Sequence, residues 1–206
     1  MKIVRLTLGP LGTNCYILYD ELSTEAIVFD PADNAGVILD KLTELGLNLK
    51  YIVVTHAHCD HICALDELTY KTKAKVCIGT DDCFALNDSN LSLCRPFGKN
   101  PPQTKAEILI NDGDVLNLGE NKIKFIHTPG HTKGGICALA DDILVSGDTL
   151  FMESVGRSDF PGGSASVLYS SIKTKLFTLP DDTVVYPGHG DSTTIGHEKR
   201  NNPYIF

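Results

Sequence analysis

Residues 51–61 of the chain read YIVVTHAHCDH, a short apolar run followed at once by a cluster of metal-binding side chains. Tyr51–Val54 has the pattern of a strand that is covered on both faces. The residues that follow include three of the chain's seven histidines and an aspartate: His56, His58, Asp60 and His61. Such a concentration at a strand end, where a loop can turn the side chains inward, predicts a metal site.

The spacing of these four groups indicates how they would divide between ions. In an extended chain His56 and His58 project to the same side, so both can hold one ion. If a helix begins after them, Asp60 and His61 point elsewhere and can reach a second ion. A zinc ion takes about four ligands, and a single ion served by all four groups would be strained. We therefore favour two ions, which requires further ligands downstream.

The later sequence supplies three more candidate ligands, each just past a predicted strand and beside a glycine. They are His131 in TPGHT (128–132), Asp148 in SGDT (146–149) and His189 in PGHG (187–190). Glycine lets the backbone approach an ion closely, and α/β enzymes commonly build a site from several strand ends. His127 and His197 are interpreted as structural residues, since His127 alternates with its strand neighbours and His197 lies in a polar helix.

Short alternating and apolar runs predict many strands with helices between them. The predicted strands are Lys2–Leu8, Cys15–Tyr19, Ala26–Phe29, Tyr51–Val54, Lys75–Ile78, Val115–Leu118, Ile123–His127, Ile136–Ala140, Ile143–Ser146 and Thr183–Tyr186. The predicted helices are Ala35–Leu45, one that ends with Asp66–Tyr70, Asp81–Leu86, Ala165–Phe177 and Thr194–Arg200. Residues 88–104 are rich in Asn, Ser, Pro and Gly, which predicts a long surface loop or a lid. The pattern indicates one α/β or α+β domain over residues 1–206, with two mixed sheets packed together and helices outside.

The composition is that of an ordinary globular protein, with 206 residues, 42% apolar and 21% charged. The formal net charge of -8 argues against a nucleic acid partner, which would require a basic face. The first ten residues have the pattern of a strand and not of a secretory signal, and no apolar run approaches the roughly 20 residues that span a bilayer. The seven cysteines are odd in number and scattered, which predicts reduced thiols. We therefore expect a cytoplasmic protein without a membrane partner.

The motifs together resemble those of the metallo-β-lactamase superfamily. His-x-His-x-Asp-His, Gly-His-Thr, Gly-Asp and Gly-His-Gly follow one another between His56 and His189. The resemblance implies a four-layer αββα sandwich of two mixed β-sheets with outer helices. It assigns His56, His58 and His131 to a first metal site, Asp60, His61 and His189 to a second, and Asp148 to a bridge between them. Asp30, in Phe29-Asp30-Pro31, resembles an acidic residue that supports the metal loop from behind.

The function that this resemblance implies is hydrolysis by two divalent ions, with zinc expected and iron or manganese as alternatives. A hydroxide that bridges the two metals would attack a carbonyl or phosphoryl centre, and Asp60 and Asp148 would be the catalytic carboxylates. Residues 151–163 and 187–203 resemble the short bacterial glyoxalase II-like proteins, which hydrolyse thioesters of glutathione. The expected partner is therefore a small-molecule thioester, and the expected activity is of the hydroxyacylglutathione hydrolase type.

Several alternatives stay open at this point. Longer glyoxalase II enzymes carry a helical C-terminal domain that helps to hold glutathione, whereas this chain ends at Phe206, so the carrier thiol is undecided. A hydrolase of another small ester, a lactone or a phosphodiester fits the same motifs. A persulfide dioxygenase would use one iron held by His56, His131 and Asp148. Arg157 is interpreted either as a contact for a substrate carboxylate or as a partner of Asp159.

Overall fold

The computed structural model describes residues 1–205 and contains two six-stranded mixed sheets that pack face to face. In the first sheet the strands lie side by side in sequence order. They are β1 (Lys2–Leu8), β2 (Thr13–Tyr19), β3 (Glu25–Phe29), β4 (Asn48–Val54), β5 (Lys75–Gly79) and β6 (Ile108–Ile110). The first three strands pair antiparallel, and β3 to β6 pair in parallel. Parallel neighbours need crossover connections, which here carry α1 (Ala35–Glu44), α2 (Cys59–Ile62) and α3 (Leu65–Thr72).

The second sheet is built from the later part of the chain. Its strands are β7 (Val115–Leu118), β8 (Asn121–His127), β9 (Ile136–Ala140), β10 (Ile143–Gly147), β13 (Val184–Pro187) and β14 (Thr193–Thr194), with a small separate hairpin of β11 (Leu150–Phe151) and β12 (Ser154–Val155). The spatial order is β14-β13-β10-β9-β8-β7. β10 and β13 pair in parallel, joined by a crossover that contains α4 (Ala165–Thr174), and α5 (Ile195–Asn201) follows β14.

Alternation of side chains along the strands separates the core into layers. From β2, Tyr16 and Leu18 face the second sheet and share a core with Phe125. Ile17 of the same strand faces the other way and packs in the core that holds Ile38 of α1. A third core lies between the second sheet, α4 and α5. Burying each such large apolar side chain stabilises the fold by roughly 1.5–3 kcal/mol, and the order of layers is the predicted αββα sandwich.

The α-helices are short, the longest having ten residues, and none within residues 1–205 is both long and apolar enough to cross a membrane. The predicted helix Asp81–Leu86 is wrong, because the chain forms two 3-10 turns there, Thr80–Asp82 and Ala85–Asn87. The buried carboxylate of Asp82 accepts hydrogen bonds from the backbone N–H groups of Ala57 and Gly134. These long-range bonds fix the local conformation in place of a continuous helix.

Residues 88–107 form a long loop without helix or strand, as the sequence predicts for most of this segment. Its far end is fixed to α3 by Asp66. The Asp66 carboxylate accepts hydrogen bonds from the backbone of Gln103 and from the backbone and side chain of Thr104, at 2.6–3.0 Å. The loop is therefore attached at this end, and its role as a lid stays a prediction.

Candidate metal centre

The seven predicted ligands meet at one edge of the sandwich, where strands from both sheets end. Residues 56–61 follow β4, His131 follows β8, Asp148 follows β10 and His189 follows β13. The carboxyl ends of parallel strands lie at the same edge of a sheet, which brings Asp148 and His189 together. The turn after β4 ends in α2, so that Asp60 and His61 project from a helical turn, as predicted from their spacing.

A first group of candidate ligands consists of His56, His58 and His131. One nitrogen of each ring lies within 4.8 Å of the others, and all three rings are buried. His131 Nε2 lies 2.9 Å from His58 Nδ1. Three imidazole nitrogens converging on one point are a donor set that suits zinc.

A second group consists of Asp60, His61 and His189, whose ligand atoms also lie within 4.8 Å of one another. Asp60 Oδ2 lies 3.5 Å from His61 Nε2 and 3.2 Å from His189 Nε2. Thr13 Oγ1 donates a 2.8 Å hydrogen bond to the same oxygen of Asp60. Thr13 therefore holds the carboxylate in the orientation that faces the two imidazoles.

Asp148 lies between the two groups and contacts both. Its Oδ2 lies 3.5 Å from His131 Nε2, 4.0 Å from His56 Nε2 and 3.7 Å from His189 Nε2. Its Oδ1 lies 3.5 Å from His61 Nε2. The two oxygens of one carboxylate thus face ligands of both groups, which is the position of a bridging ligand.

The donor atoms of this centre fit a metal. His56 Nε2, His61 Nε2 and Asp148 Oδ1 are buried and have no hydrogen-bond partner within residues 1–205. A buried polar atom without a partner costs about 1–3 kcal/mol, and native proteins rarely leave three together. Coordination of divalent cations would satisfy all three atoms, and nitrogen and carboxylate oxygen are donors that such cations accept.

Burial keeps two histidines of the first group, His56 and His58, neutral. It lowers the pKa of His56 well below its usual value, and the surrounding imidazoles lower it further. The same two causes, burial first and then His131, lower the pKa of His58 to about 3. Near neutral pH both rings therefore keep a lone pair free, which is the state that binds a metal.

Negative charge surrounds His61. Burial by itself lowers the pKa of His61, but three carboxylates outweigh it and raise the pKa to about 10. They belong to Asp148, Asp30 and Asp60. For Asp60, burial raises the pKa, yet the charge on His61 and the hydrogen bond from His189 hold it below the usual range. Ionised carboxylates that face one small buried space favour a divalent cation there.

Asp30 supports the ligand loop from behind. His61 Nδ1 donates to Asp30 Oδ2 at 2.9 Å, which leaves Nε2 facing the centre. Thr55 Oγ1 donates to the same oxygen at 2.7 Å and accepts from His56 Nδ1 at 3.1 Å. The Thr55 N–H bonds Asp30 Oδ1 at 2.7 Å. Partners of this kind fix the ring orientation of metal-binding histidines.

Two supporting contacts have no signal in the sequence. Asp82 accepts hydrogen bonds from Ala57 N at 3.3 Å, Thr132 Oγ1 at 2.7 Å and Gly134 N at 2.7 Å, and so joins the loop after β4 to the loop that carries His131. The second contact is the backbone carbonyl of Arg157, which accepts from His131 Nδ1 at 2.5 Å. Because every residue has a backbone carbonyl, the identity of residue 157 cannot indicate this contact.

At Gly188 the backbone passes very close to two candidate ligands, Asp148 and His61. A β-carbon at this position would overlap Asp148 Oδ1 and would lie 2.8 Å from His61 Cε1. The Gly188 N–H also donates to the carbonyl of Gly147 at 2.8 Å, which joins the ends of β10 and β13. Any side chain at residue 188 would therefore push ligands of the second group apart.

A cavity of about 400 Å³ opens above the centre. Its floor consists of His58, Asp60, His131, Asp148 and His189, and its walls include the apolar side chains Leu11, Leu93, Phe97, Phe151, Val155 and Phe160. This volume is typical of a site for a small molecule. Leu93 and Phe97 belong to the long loop, which therefore forms part of the wall.

The side chains of the remaining polar residues singled out in the sequence form hydrogen bonds with residues other than the candidate ligands. The exposed Arg157 lines the cavity and forms a two-pronged pair with Asp159 at 2.8–3.0 Å, while its contact with a substrate carboxylate stays a prediction. His127 Nε2 bonds the carbonyl of Lys133 at 2.9 Å, and His197 Nε2 bonds Glu153 at 2.9 Å. Both histidines are thus structural, as predicted.

A family model described as the metallo-β-lactamase superfamily matches residues 8–189. An uncharacterized protein of Mycobacterium leprae is 38% identical over all of this chain and 99% of its own length. The hydroxyacylglutathione hydrolase GloC of Haemophilus influenzae is 35% identical over all of this chain and 98% of its own. The probable metallo-hydrolase YqgX of Bacillus subtilis has the same identity and the same coverage.

Solved structures show the same similarity. The BLEG-1 B3 metallo-β-lactamase superposes with a TM-score of 0.94 at 35% identity, covering 99% of both chains. TTHA1623 in a di-iron-bound form gives a TM-score of 0.87 at 32% identity, covering 98% of this chain and 100% of its own. ETHE1 from Myxococcus xanthus gives 0.84 at 33% identity, covering 98% of this chain and 84% of its own.

Proposed function

Because the chain belongs to the metallo-β-lactamase superfamily of metal-dependent hydrolases, we propose that it is a dinuclear enzyme that hydrolyses a small thioester. The observation that carries the proposal is the position of Asp148, whose two oxygens face two groups of metal-binding side chains. A structural zinc site surrounds one ion with protein ligands. Two adjacent groups that share a carboxylate beneath an open cavity are better suited to catalysis.

The ligands would divide between two ions as the sequence predicts. His56, His58 and His131 would hold one ion, Asp60, His61 and His189 the other, and Asp148 would contact both. When bound, the ions supply a water of lowered pKa and polarise the substrate carbonyl. We favour zinc, since sets of nitrogen and carboxylate oxygen suit it. Iron is the alternative, and the di-iron-bound form of TTHA1623 is an example in a similar fold.

The side chains around the ligands make the site rigid before substrate arrives. Asp30 orients His61 directly and His56 through Thr55. Thr13 fixes Asp60 in the same way. Because these groups are already in place, little reorganisation is needed at the moment of reaction.

A thioester suits the cavity for two reasons. Its carbonyl is more electrophilic than that of an amide, and its thiolate leaves without first taking a proton, so the site needs no separate acid. The apolar side chains of Phe97 and Phe160 line the space above the ligands and would exclude water around the acyl group. The full-length similarity to a hydroxyacylglutathione hydrolase supports the same substrate class. The cytoplasmic location and the lack of nucleic acid and membrane partners are proposed from the sequence.

A persulfide dioxygenase is the second candidate. His56 Nε2 and His131 Nε2 lie 4.0 and 3.5 Å from Asp148 Oδ2, and two histidines with one carboxylate are the usual set for an oxygen-activating iron. The second group, Asp60 and His61 with His189, is also assembled. A complete second group favours two ions and hydrolysis.

The experiment that tests the proposal compares substrates on one preparation. We expect S-lactoylglutathione to be hydrolysed rapidly, and an oxygen ester, a lactone and a phosphodiester of similar size to react more slowly. Rapid cleavage of one of these and not of the thioester would move the substrate assignment to that class. Oxygen uptake with glutathione persulfide, without thioester cleavage, would support the dioxygenase instead.

A further inference from the structure

We propose that Cys59 and Cys63 form a thiol pair that a hydroperoxide can oxidise to a disulfide, and that this modification displaces the ligands between them. The two cysteines flank Asp60 and His61 in the sequence. Formation of the bridge depends only on the cysteines and their surroundings. Its effect on the metals rests on the proposed function, so the two parts can be tested separately.

The two sulfur atoms already lie close together. Cys59 Sγ and Cys63 Sγ are 3.8 Å apart, on consecutive turns at α2. Cys63 Sγ also donates a 2.9 Å hydrogen bond to the carbonyl of Cys59. The S–S distance in a disulfide is about 2.05 Å. Oxidation therefore requires the two sulfurs, now 3.8 Å apart, to approach each other by less than about 2 Å.

Cys63 has the surroundings of a reactive cysteine. It is half-buried and lines a groove beside the centre, together with Phe97 and Lys99. Lys99 Nζ donates a hydrogen bond to Cys63 Sγ at 3.1 Å, and Asp33 lies 3.6 Å from the same ammonium. Reactive cysteines combine access to small molecules with a neighbouring cation. Cys59, in contrast, is buried with 2% of its surface exposed, which suits the second, resolving thiol.

The chemistry requires one equivalent of hydroperoxide, here hydrogen peroxide. The sulfur of Cys63 attacks the near oxygen, the O–O bond breaks, and the products are a sulfenic acid on Cys63 and one water. The sulfur of Cys59 then attacks the sulfenic sulfur, the S–O bond breaks, and hydroxide leaves with the Cys59 proton as a second water. The two thiols lose two electrons and two protons, and peroxide is reduced to two waters.

The bridge would distort the turn that carries the ligands. Residues four apart on a helix have β-carbons about 5–6 Å apart, whereas a disulfide holds them at about 3.5–4.5 Å. The turn must therefore tighten, and Asp60 and His61 lie inside it. The Cys59 N–H also bonds the carbonyl of Ser92 at 2.7 Å, so the change would extend to the long loop at the cavity wall.

The test uses the purified protein as isolated, treated with hydrogen peroxide and then digested with trypsin. Cleavage after Lys50 and Lys71 releases a peptide, 51–71, that contains these two cysteines and no others. We expect this peptide to lose two hydrogens and to resist alkylation until a reductant is added. Metal content of the undigested protein, measured before and after peroxide, should fall as the bridge forms and should recover on reduction with metal present.

Two serine variants distinguish the effect of the Cys59–Cys63 bridge from the effect of oxidation at other cysteines. Cys63→Ser should keep its metal in peroxide, whereas Cys83→Ser, which changes the other half-buried cysteine, should behave like the parent protein. Two free thiols in peptide 51–71 after peroxide has oxidised other cysteines would overturn the proposal. A bridge that forms without loss of metal would overturn the link to Asp60 and His61. Protein isolated without metal would contradict the proposed function. Even then, the mass of peptide 51–71 would show whether the bridge between Cys59 and Cys63 forms.

Discussion

Asp148 Oδ1 and His61 Nε2 lie 3.5 Å apart, and neither of these buried atoms has a hydrogen-bond partner within residues 1–205. Both atoms face the same small space, and the first group of histidines lies on the other side of Asp148. Buried polar atoms without a partner in this position are costly unless a cation fills the space. The relationship is the basis for the predictions that concern the ligands.

Asp148→Ala removes the carboxylate that faces both groups. We expect kcat/KM for the thioester to fall at least about a hundredfold, with loss of metal and little change in the folded structure, because residue 148 lies at a strand end outside the apolar cores. The measurement is steady-state kinetics with metal content and circular dichroism on the same protein. Asp182→Ala changes an exposed aspartate and is the matched control. Full activity in Asp148→Ala would refute a bridging role.

Gly188→Ala places a β-carbon against Asp148 Oδ1 and 2.8 Å from His61 Cε1. A displacement of ligands by about 1 Å can cost a factor on the order of a hundred in rate, so we expect a loss of that size and weaker metal binding. Gly36→Ala adds the same methyl group on α1, where the nearest atom lies 3.4 Å away. That control should retain its activity. If Gly188→Ala and Gly36→Ala had equal activity and metal content, the close approach of the Gly188 backbone to Asp148 and His61 would be unimportant.

Asp82→Ala removes three hydrogen bonds that join the loop of Ala57 to the loop of Gly134. Because these donors are buried and would lose their partner, we expect the free energy of unfolding to fall by about 2–4 kcal/mol. Urea denaturation checks this value. Asp81→Ala alters an exposed neighbour and should change stability very little. If both variants unfold at the same urea concentration, Asp82 does not connect the loops.

Asp66 should contribute to stability in a pH-dependent manner. Burial is the largest single influence and raises the pKa of Asp66, but the hydrogen bonds from Thr104 and Gln103 together outweigh it and lower the pKa. A carboxyl with a lowered folded pKa stabilises the fold above its unfolded pKa of about 3.9, and the contribution disappears as the pH falls through the folded value. Asp66→Asn should therefore be less stable than the parent near pH 7, and the difference should shrink in acid. If the stability difference between the parent protein and Asp66→Asn grew as the pH fell, the pKa of Asp66 could not be lowered by folding.

The positions of the candidate ligands could be predicted from the sequence because each follows a strand signal within a few residues. His131, Asp148 and His189 lie just after predicted strands that the structure confirms, and the strands bring them to one edge. Asp82 could not be recognised in this way. Its partner Gly134 lies 52 residues away, and local pattern instead predicted a helix over residues 81–86. Contacts that depend on two distant segments folding together leave no periodicity to read.

Short strands were also missed for a physical reason. β6 (Ile108–Ile110) and β14 (Thr193–Thr194) have three and two residues, which is too few for alternation to be visible. They exist because the neighbouring strands, β5 and β13, offer backbone partners at the sheet edges. Tertiary pairing therefore decides these elements, whereas the longer strands are indicated by their own residues.

The most direct measurement is the metal content per chain of the purified protein, with S-lactoylglutathione hydrolysis followed on the same sample. Two divalent ions per chain, with hydrolysis that stops on chelation and returns with metal, is the result that the geometry around Asp148 predicts. A single iron ion per chain without thioester cleavage would contradict the dinuclear hydrolase.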